Sequence, residues 1–150
     1  MKRMNWVLVA LALLASNAAL ARTPEPVRNF VDQPVATASG KAMSLEQVQA
    51  AIRTVAVQQQ WIVGSNPNGS MVATKSWKAH TIVVEIAANP DRYSLKYANS
   101  INMKYSLSMC MQAASCETRG IPDGTPIIHP YYNRYVTALN NGIRVELMRY

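Results

Sequence analysis

Hydrophobic and polar residues alternate most clearly between His80 and Tyr105, and this stretch predicts a β-hairpin. Its first arm is rich in β-branched residues, and its second arm alternates apolar with polar residues, as expected for half-buried pleated strands. The segment Asn89-Pro90-Asp91-Arg92 between the arms predicts a type I turn, because Asn suits the first position and Pro presets φ at the second.

One register of this hairpin separates apolar pairs from a charged pair. Centring the turn on Pro90-Asp91 pairs Ile86 with Leu95 on one face and places Glu85 opposite Lys96 on the other. Cross-strand pairs stabilise a sheet, and a slip of one residue would invert both faces. The predicted core face consists of Ile82, Val84, Ile86, Tyr93, Leu95 and Tyr97.

Apolar residues at helical spacing predict one helix before the strands and one after them. Residues 44–47, Ser-Leu-Glu-Gln, match a capping box for the first helix, which is expected to end near Gln59. Pro130 suits the first position of the second helix, while Gly142 is expected to weaken its middle by about 1 kcal/mol. The two apolar stripes are Leu45, Val48, Ile52 and Val55, and Tyr132, Val136, Leu139, Ile143 and Leu147.

Two further strands are predicted at residues 61–63 and 70–74, joined by a turn at Asn68-Gly69. The predicted fold is therefore a single α+β domain over residues 44–150: a four-stranded antiparallel meander with two helices packed on one face, in the order α-β-β-β-β-α. Residues 22–43 contain three prolines and little periodicity, which predicts an extended, partly disordered leader. Residues 106–125 are expected to form a long loop.

The first 21 residues have the three parts of a secretory signal peptide. Lys2 and Arg3 are the positive end, residues 6–15 the apolar core, and Ala19-Leu20-Ala21 the cleavage site. The apolar run is shorter than the roughly 20 residues that span a bilayer. The sequence thus predicts cleavage after Ala21, a periplasmic or secreted location, and no transmembrane segment in the mature chain.

The formal net charge is +7, and loss of Lys2 and Arg3 with the signal peptide lowers it to +5. Export and the scattering of the positive residues both argue against a nucleic-acid partner. Two interpretations stay open: a soluble basic surface, and weak attraction to anionic lipid, lipopolysaccharide or acidic polymers.

Residues that could carry chemistry are few. Cys110 and Cys116 in an oxidising compartment predict a disulfide, since two thiols are too few for zinc and their spacing is not C-x-x-C. The carboxylates are scattered, and neither a G-x-S-x-G elbow nor a glycine-rich phosphate loop occurs. The sequence therefore predicts no metal, no cofactor and no catalytic residue, and it disfavours an enzyme.

A polar cluster at the junction of the fourth strand and the second helix is the candidate binding surface. The start of a helix offers unpaired N–H groups, and Lys104 and Arg134 add positive charge, which favours an anionic or carbonyl-bearing partner. A tie of the loop through side-chain hydrogen bonds is equally open. His80 is interpreted as a sheet-edge residue bonded to backbone. The candidate residues are Asn102, Lys104, Tyr105, His129, Asn133 and Arg134.

Four motifs in these segments resemble those of small exported bacterial proteins, many of them lipoproteins, whose function is uncharacterised. In this chain they read H-T-x-V-V-E-I from His80, Y-S-L-x-Y from Tyr93, S-x-N-M-K-Y from Ser100 and I-H-x-x-Y-N-R-Y-x-x-x-L from Ile128. The resemblance covers the chain from the first helix onward and implies no reaction. The chain departs from the pattern in lacking a lipid-attachment cysteine and in carrying the cysteine-containing insert.

These features lead to one functional expectation and two alternatives. The expectation is a non-catalytic periplasmic module that binds an unknown envelope protein or a small anionic ligand. The alternatives are a small hydrolase-like enzyme using His129, and a structural envelope protein that contacts anionic membrane or cell wall.

Overall fold

The computed structural model describes residues 23–109 and 120–150. The predicted signal peptide and the predicted Cys110–Cys116 disulfide lie outside the described residues, so both stay predictions.

Within these ranges the chain forms strands and helices in the order β-β-α-β-β-β-β-β-β-α, which confirms the α+β class. The elements are β1 Glu25–Pro26, β2 Phe30–Pro34, α1 Leu45–Gln58, β3 Ile62–Ser65, β4 Met71–Trp77, β5 His80–Ala88, β6 Arg92–Ile101, β7 Ser106–Leu107, β8 Pro126–Ile128 and α2 Pro130–Leu147.

The main sheet has five antiparallel strands in the order β2-β6-β5-β4-β3. The prediction of a four-stranded meander alone is therefore wrong, although β3 to β6 do follow one another across the sheet. The fifth strand, β2, comes from the leader, where Phe30 pairs with Leu95. Strand β2 is short and ends at Pro34. Its partner β6 lies some sixty residues further along the chain, so no turn or hairpin pattern in the sequence indicates the pairing.

A second, three-stranded sheet has the order β1-β8-β7. Glu25 of the leader pairs with Ile128, and Ser106 pairs with Ile127. Residues 106–125, expected to form a loop, thus begin with strand β7, and strand β8 follows directly after them. This small sheet joins the leader to the start of α2.

The hairpin of β5 and β6 has the predicted register, with Glu85 opposite Lys96 and Ile86 opposite Leu95. A register shift between Val83 and Val84 then leaves Ala98 without a partner. The Glu85 carboxylate accepts a hydrogen bond from Ser70 Oγ at 3.0 Å. No salt bridge joins it to Lys96 among the residues described.

Local side chains fix the ends of these elements, and the hairpin turn, the α1 capping box and the first residue of α2 are the predicted ones. Asn89 Oδ1 accepts hydrogen bonds from the N–H groups of Asp91 and Arg92, which closes the hairpin turn. The Ser44 capping box is formed at α1. Pro130 is the first residue of α2, and His129 caps it.

Both apolar stripes and the apolar face of the main sheet bury into one core. The predicted core face is buried except for Tyr97, which is half-buried. The two helices come closest at Gly142, where an added Cβ would lie 2.5 Å from Gln59 Nε2 and 2.6 Å from Val55 Cγ1. Close packing of α1 on α2 therefore requires the glycine. No helix in the described ranges combines the length and the apolar character that a membrane crossing needs.

Candidate functional site

The structure brings the end of β6 and the start of α2 together. The backbone N–H of His129 donates to the carbonyl of Met103 at 2.8 Å, and Met103 itself is buried. The residues of the predicted polar cluster surround this contact, but they divide into two groups with different surroundings.

Asn102 joins the end of β6 to the turn between β4 and β5. Its φ of 56° lies in the left-handed region, which Asn tolerates better than most residues. Its Nδ2 donates to the Ala79 carbonyl at 2.5 Å, and its own carbonyl lies 2.9 Å from His80 Nδ1. His80 is thus bonded to backbone, as predicted, and Asn102 acts as a structural tie.

The His129 side chain caps the start of α2. Its Nδ1 accepts a hydrogen bond from the Tyr131 N–H at 3.2 Å, which satisfies one of the N–H groups left unpaired at a helix start. Its ring packs on the Tyr131 ring at a centroid distance of 4.8 Å. The capping bond occupies the nitrogen lone pair that a general base would use at Nδ1.

Asn133 is buried and joins the leader to α2. Its Oδ1 accepts from the Arg28 N–H at 2.9 Å. Its Nδ2 donates to the Pro26 carbonyl at 2.9 Å and to Glu25 Oε2 at 3.2 Å. Both ends of the amide are therefore used by the leader, and the geometry favours a structural tie at this position.

Lys104, Tyr105 and Arg134 are exposed. The Tyr105 ring stacks on Tyr97 with centroids 4.6 Å apart and planes 5° from parallel, and 44% of the residue is exposed. Arg134 makes no hydrogen bond or salt bridge with any residue in the described ranges. Lys104 and Tyr105 can therefore contact a ligand without losing a hydrogen bond inside the protein.

The stacked tyrosines line an open groove with a volume of about 550 Å³, which we call the tyrosine groove. Its wall contains aromatic, hydroxyl, amide and ammonium groups and no carboxylate, so its charge is positive. Three of the six predicted residues line it, and Arg134 does not. The lining residues are Tyr97, Ala98, Asn99, Ser100, Asn102, Met103, Lys104 and Tyr105.

Part of this groove differs from the sequence prediction. The alternation of the strand predicts Tyr97 on the core face, but its hydroxyl lies 3.0 Å from Ser100 Oγ. Asn99 Oδ1 accepts a hydrogen bond from the Ser100 N–H at 2.7 Å. The one available signal is the loss of strict alternation after Tyr97, where the bulge at Ala98 begins.

A second group of aromatic rings packs where α2 meets β4 and β5. Trp77 lies between His80 and Tyr135, with centroid distances of 5.4 and 4.8 Å. The Lys75 ammonium lies 5.2 Å from the centroid of Tyr135 and donates to the Gln59 carbonyl at 2.7 Å. These rings are half-buried, and their mutual contacts show that they pack α2 onto the sheet.

The described ranges contain no group of three or more His, Cys, Asp or Glu side chains that could hold a metal ion. The tyrosine groove offers cationic and neutral donor groups instead of the acidic and imidazole ligands that metals prefer. Its chemistry is that of binding through stacking, hydrogen bonds and one positive charge.

Comparison of the chain with protein-family models, with curated proteins and with solved structures found no match. The resemblance to small exported bacterial proteins therefore stays a prediction, and the geometry of the tyrosine groove is the basis for any functional conclusion.

Proposed function

We propose that this protein is a non-catalytic binding module of the bacterial envelope that takes a small anionic ligand in the tyrosine groove. The observation that carries the proposal is the stack of the exposed Tyr105 on the half-buried Tyr97, beside Lys104 in an open groove without carboxylates. Aromatic side chains with polar tips are common in binding surfaces because they offer a large apolar face at little entropic cost.

The composition of the groove defines the ligand. The outer face of Tyr105 suits a flat, apolar part of a small molecule, and Lys104 suits a carboxylate or phosphate. The net positive charge of the chain adds a long-range attraction for anions. A partner with one flat face and one anionic group satisfies both features.

The test is a titration of the protein with small anionic ligands, read by NMR chemical shifts. Lys104→Ala is expected to weaken binding by about tenfold, which equals the loss of roughly 1.4 kcal/mol. Lys96→Ala is the matched control, because Lys96 is also exposed on β6 but does not line the groove. Equal loss in both variants would show attraction by net charge alone and would contradict a site at the groove.

A second surface favours the membrane-contact alternative. An apolar groove of about 480 Å³ lies between the end of β2 and the end of α2, lined in part by Pro34, Val145 and Met148, with Arg144 among its residues. Val145 and Met148 are 63% and 50% exposed. Apolar side chains beside a cation are typical of surfaces that rest on anionic lipid.

Cosedimentation with phosphatidylglycerol vesicles tests this alternative. The double variant Val145→Ser and Met148→Ser is expected to reduce binding, and high salt is expected to reduce it further. Val57→Ser is the matched control, since Val57 is 64% exposed on α1, away from the apolar groove. Unchanged cosedimentation of the double variant would reject membrane contact through this surface.

A further inference from the structure

Strand β3 forms one edge of the main sheet, because it pairs with β4 alone within the described ranges. The Asn66 N–H donates to the Ser70 carbonyl just beyond this ladder, and hydrogen-bonded and non-bonded pairs alternate along antiparallel strands. Gly64 therefore bonds to β4, whereas the N–H and C=O groups of Val63 and Ser65 point away from the sheet. The backbone of this edge thus offers donors and acceptors to a further strand.

The edge at β3 lacks the features that usually prevent one sheet from pairing with another. Such features are a proline, a charged side chain or a bulge on the edge strand. The opposite edge, β2, has all three: a register shift, Asp32 with a φ of 50°, and Pro34 at its end. Strand β3 reads Ile-Val-Gly-Ser and pairs with β4 in a regular register, so this edge of the main sheet is the one open to a further strand.

The side chains of β3 leave room for an apolar residue on the outer face of the strand. Ile62 is 78% exposed, and Gly64 lies on the same face, because alternate residues of a strand share a face. A Cβ added at Gly64 would meet no atom within 4 Å, so the space beside Ile62 is open. On the other face, Arg53 Nη2 donates to Ser65 Oγ at 2.8 Å, and β3 itself contains no charged residue.

We propose that two copies of this chain associate by antiparallel pairing of β3 with β3, centred on Gly64, so that their main sheets become continuous. Val63 of each copy then faces Ser65 of the other, and every outward N–H meets an outward C=O. The two copies of Gly64 face each other at a non-bonded position, where the backbones approach most closely. Ile62 of each copy lies diagonal to Gly64 of the other and fills the open space there. Strand β3 is therefore its own complement, in hydrogen bonds and in shape, which is why the partner is a second copy.

This pairing is independent of the tyrosine groove. Strands β4 and β5 lie between β3 and β6, and part of the groove lies on β6, so a dimer formed at β3 keeps both grooves open. The inference therefore goes beyond the proposed function and does not rest on it. Failure of the groove to bind a ligand leaves the dimer untouched, and a monomeric protein leaves the groove untouched.

Cysteine cross-linking tests the register of the pairing. Gly64→Cys places two thiols opposite each other across the dimer axis, at a Cα separation that suits a disulfide. Mild oxidation is therefore expected to give a covalent dimer on a non-reducing gel. Val57→Cys is the matched control, because Val57 is 64% exposed on α1 and lies outside β3, and the unmodified protein gives the background from the native cysteines. Equal cross-linking of the two variants, or none above this background in Gly64→Cys, would overturn the proposal.

Sedimentation velocity over a concentration series measures the association itself. Ile62→Lys is expected to weaken dimerisation by about tenfold or more, because it removes the apolar contact and brings two lysines to the shared edge. Its melting temperature is expected to stay the same, since the side chain is exposed. Val57→Lys adds the same charge on α1 and is expected to dimerise like the unmodified protein. A monomer at every concentration, or an equal effect of the two lysine variants, would overturn the proposal.

Discussion

Single polar side chains connect distant segments of this protein by hydrogen bonds, and Asn133 is the clearest example. The sequence places it one position after the buried Tyr132 on α2, where an exposed binding role and a structural tie are both reasonable. The structure shows a buried amide that bonds to three residues of the leader. Replacing one partner of such a network leaves the others unsatisfied, which is why the cost is large.

Asn133→Ala is expected to lower the free energy of unfolding by about 1–3 kcal/mol. Asn141→Ala is the control, since Asn141 lies on the same helix with an exposed side chain and is expected to change stability by less than about 0.5 kcal/mol. Urea denaturation measures both. Equal stability of the two variants would show that the leader contacts contribute nothing, and would return Asn133 to the candidate binding residues.

Tyr93 gives stability a dependence on alkaline pH. Burial raises the pKa of its phenol to about 12, with the positive charge of Arg144 opposing the shift, whereas the unfolded value is about 10. Between these values the unfolded chain loses the proton before the folded chain does. The contribution of Tyr93 is therefore fully present below about pH 10 and is lost as the pH rises towards about 12.

Denaturation measured at steps across this alkaline window is expected to show falling stability in the unmodified protein. Tyr93→Phe removes the titrating group, so its stability is expected to fall less steeply over the same window, although it starts lower because Asn140 loses its partner. Identical slopes for the two proteins would mean that Tyr93 titrates normally.

At the scale of elements, the helix pair depends on one small residue. Intrinsic helix propensity alone predicts that Gly142→Ala stabilises α2 by about 1 kcal/mol. The structure reverses this sign, because the added Cβ would lie 2.6 Å from Val55 Cγ1, a contact that the closely packed core cannot relieve by a simple side-chain rotation.

Gly142→Ala is therefore expected to destabilise the protein by about 1–3 kcal/mol. Ala138→Gly, at an exposed position one turn earlier, is the control for propensity and is expected to cost about 1 kcal/mol. Thermal melting followed by circular dichroism compares the two. A higher melting temperature for Gly142→Ala would show that the helices separate easily at this point.

At the scale of the whole molecule, the leader holds the two sheets and α2 together. Strand β2 completes the main sheet, and β1 completes the small one. The Val27 N–H donates to the Pro126 carbonyl and the Val35 N–H to the Asp91 carbonyl, both at 2.8 Å. A segment that the sequence sets apart from the domain is thus an integral part of it.

A chain that begins at Val35 is expected to lose at least about 3 kcal/mol of stability, because the Asn133 amide loses its partners and the edge of β6 is uncovered. A chain that begins at Pro24 keeps both leader strands and is expected to match the longer protein. Chemical denaturation and the dispersion of amide NMR signals measure the difference. Equal stability of the two truncated chains would show that the leader is dispensable.

The sequence by itself determined what depends on neighbours in the chain: the α+β class, the capping box of α1, the start of α2 at Pro130, the turn at Asn89 and the register of β5 with β6. These follow from periodicity and from hydrogen bonds that span a few residues, so a linear pattern records them. Only the tertiary structure decided the place of β1 and β2, the need for Gly142, and which of the polar residues line a groove. The strands and Gly142 depend on partners dozens of residues away, as does the bond between Asn133 and Arg28. The stack of Tyr105 on Tyr97 joins residues that are close in the sequence, but the irregular backbone between them leaves no periodic trace. The same reason separates the two groups of candidate residues: residue types predicted a polar surface, but burial and geometry determined that Asn133 is a tie and that Lys104 faces a ligand-sized groove.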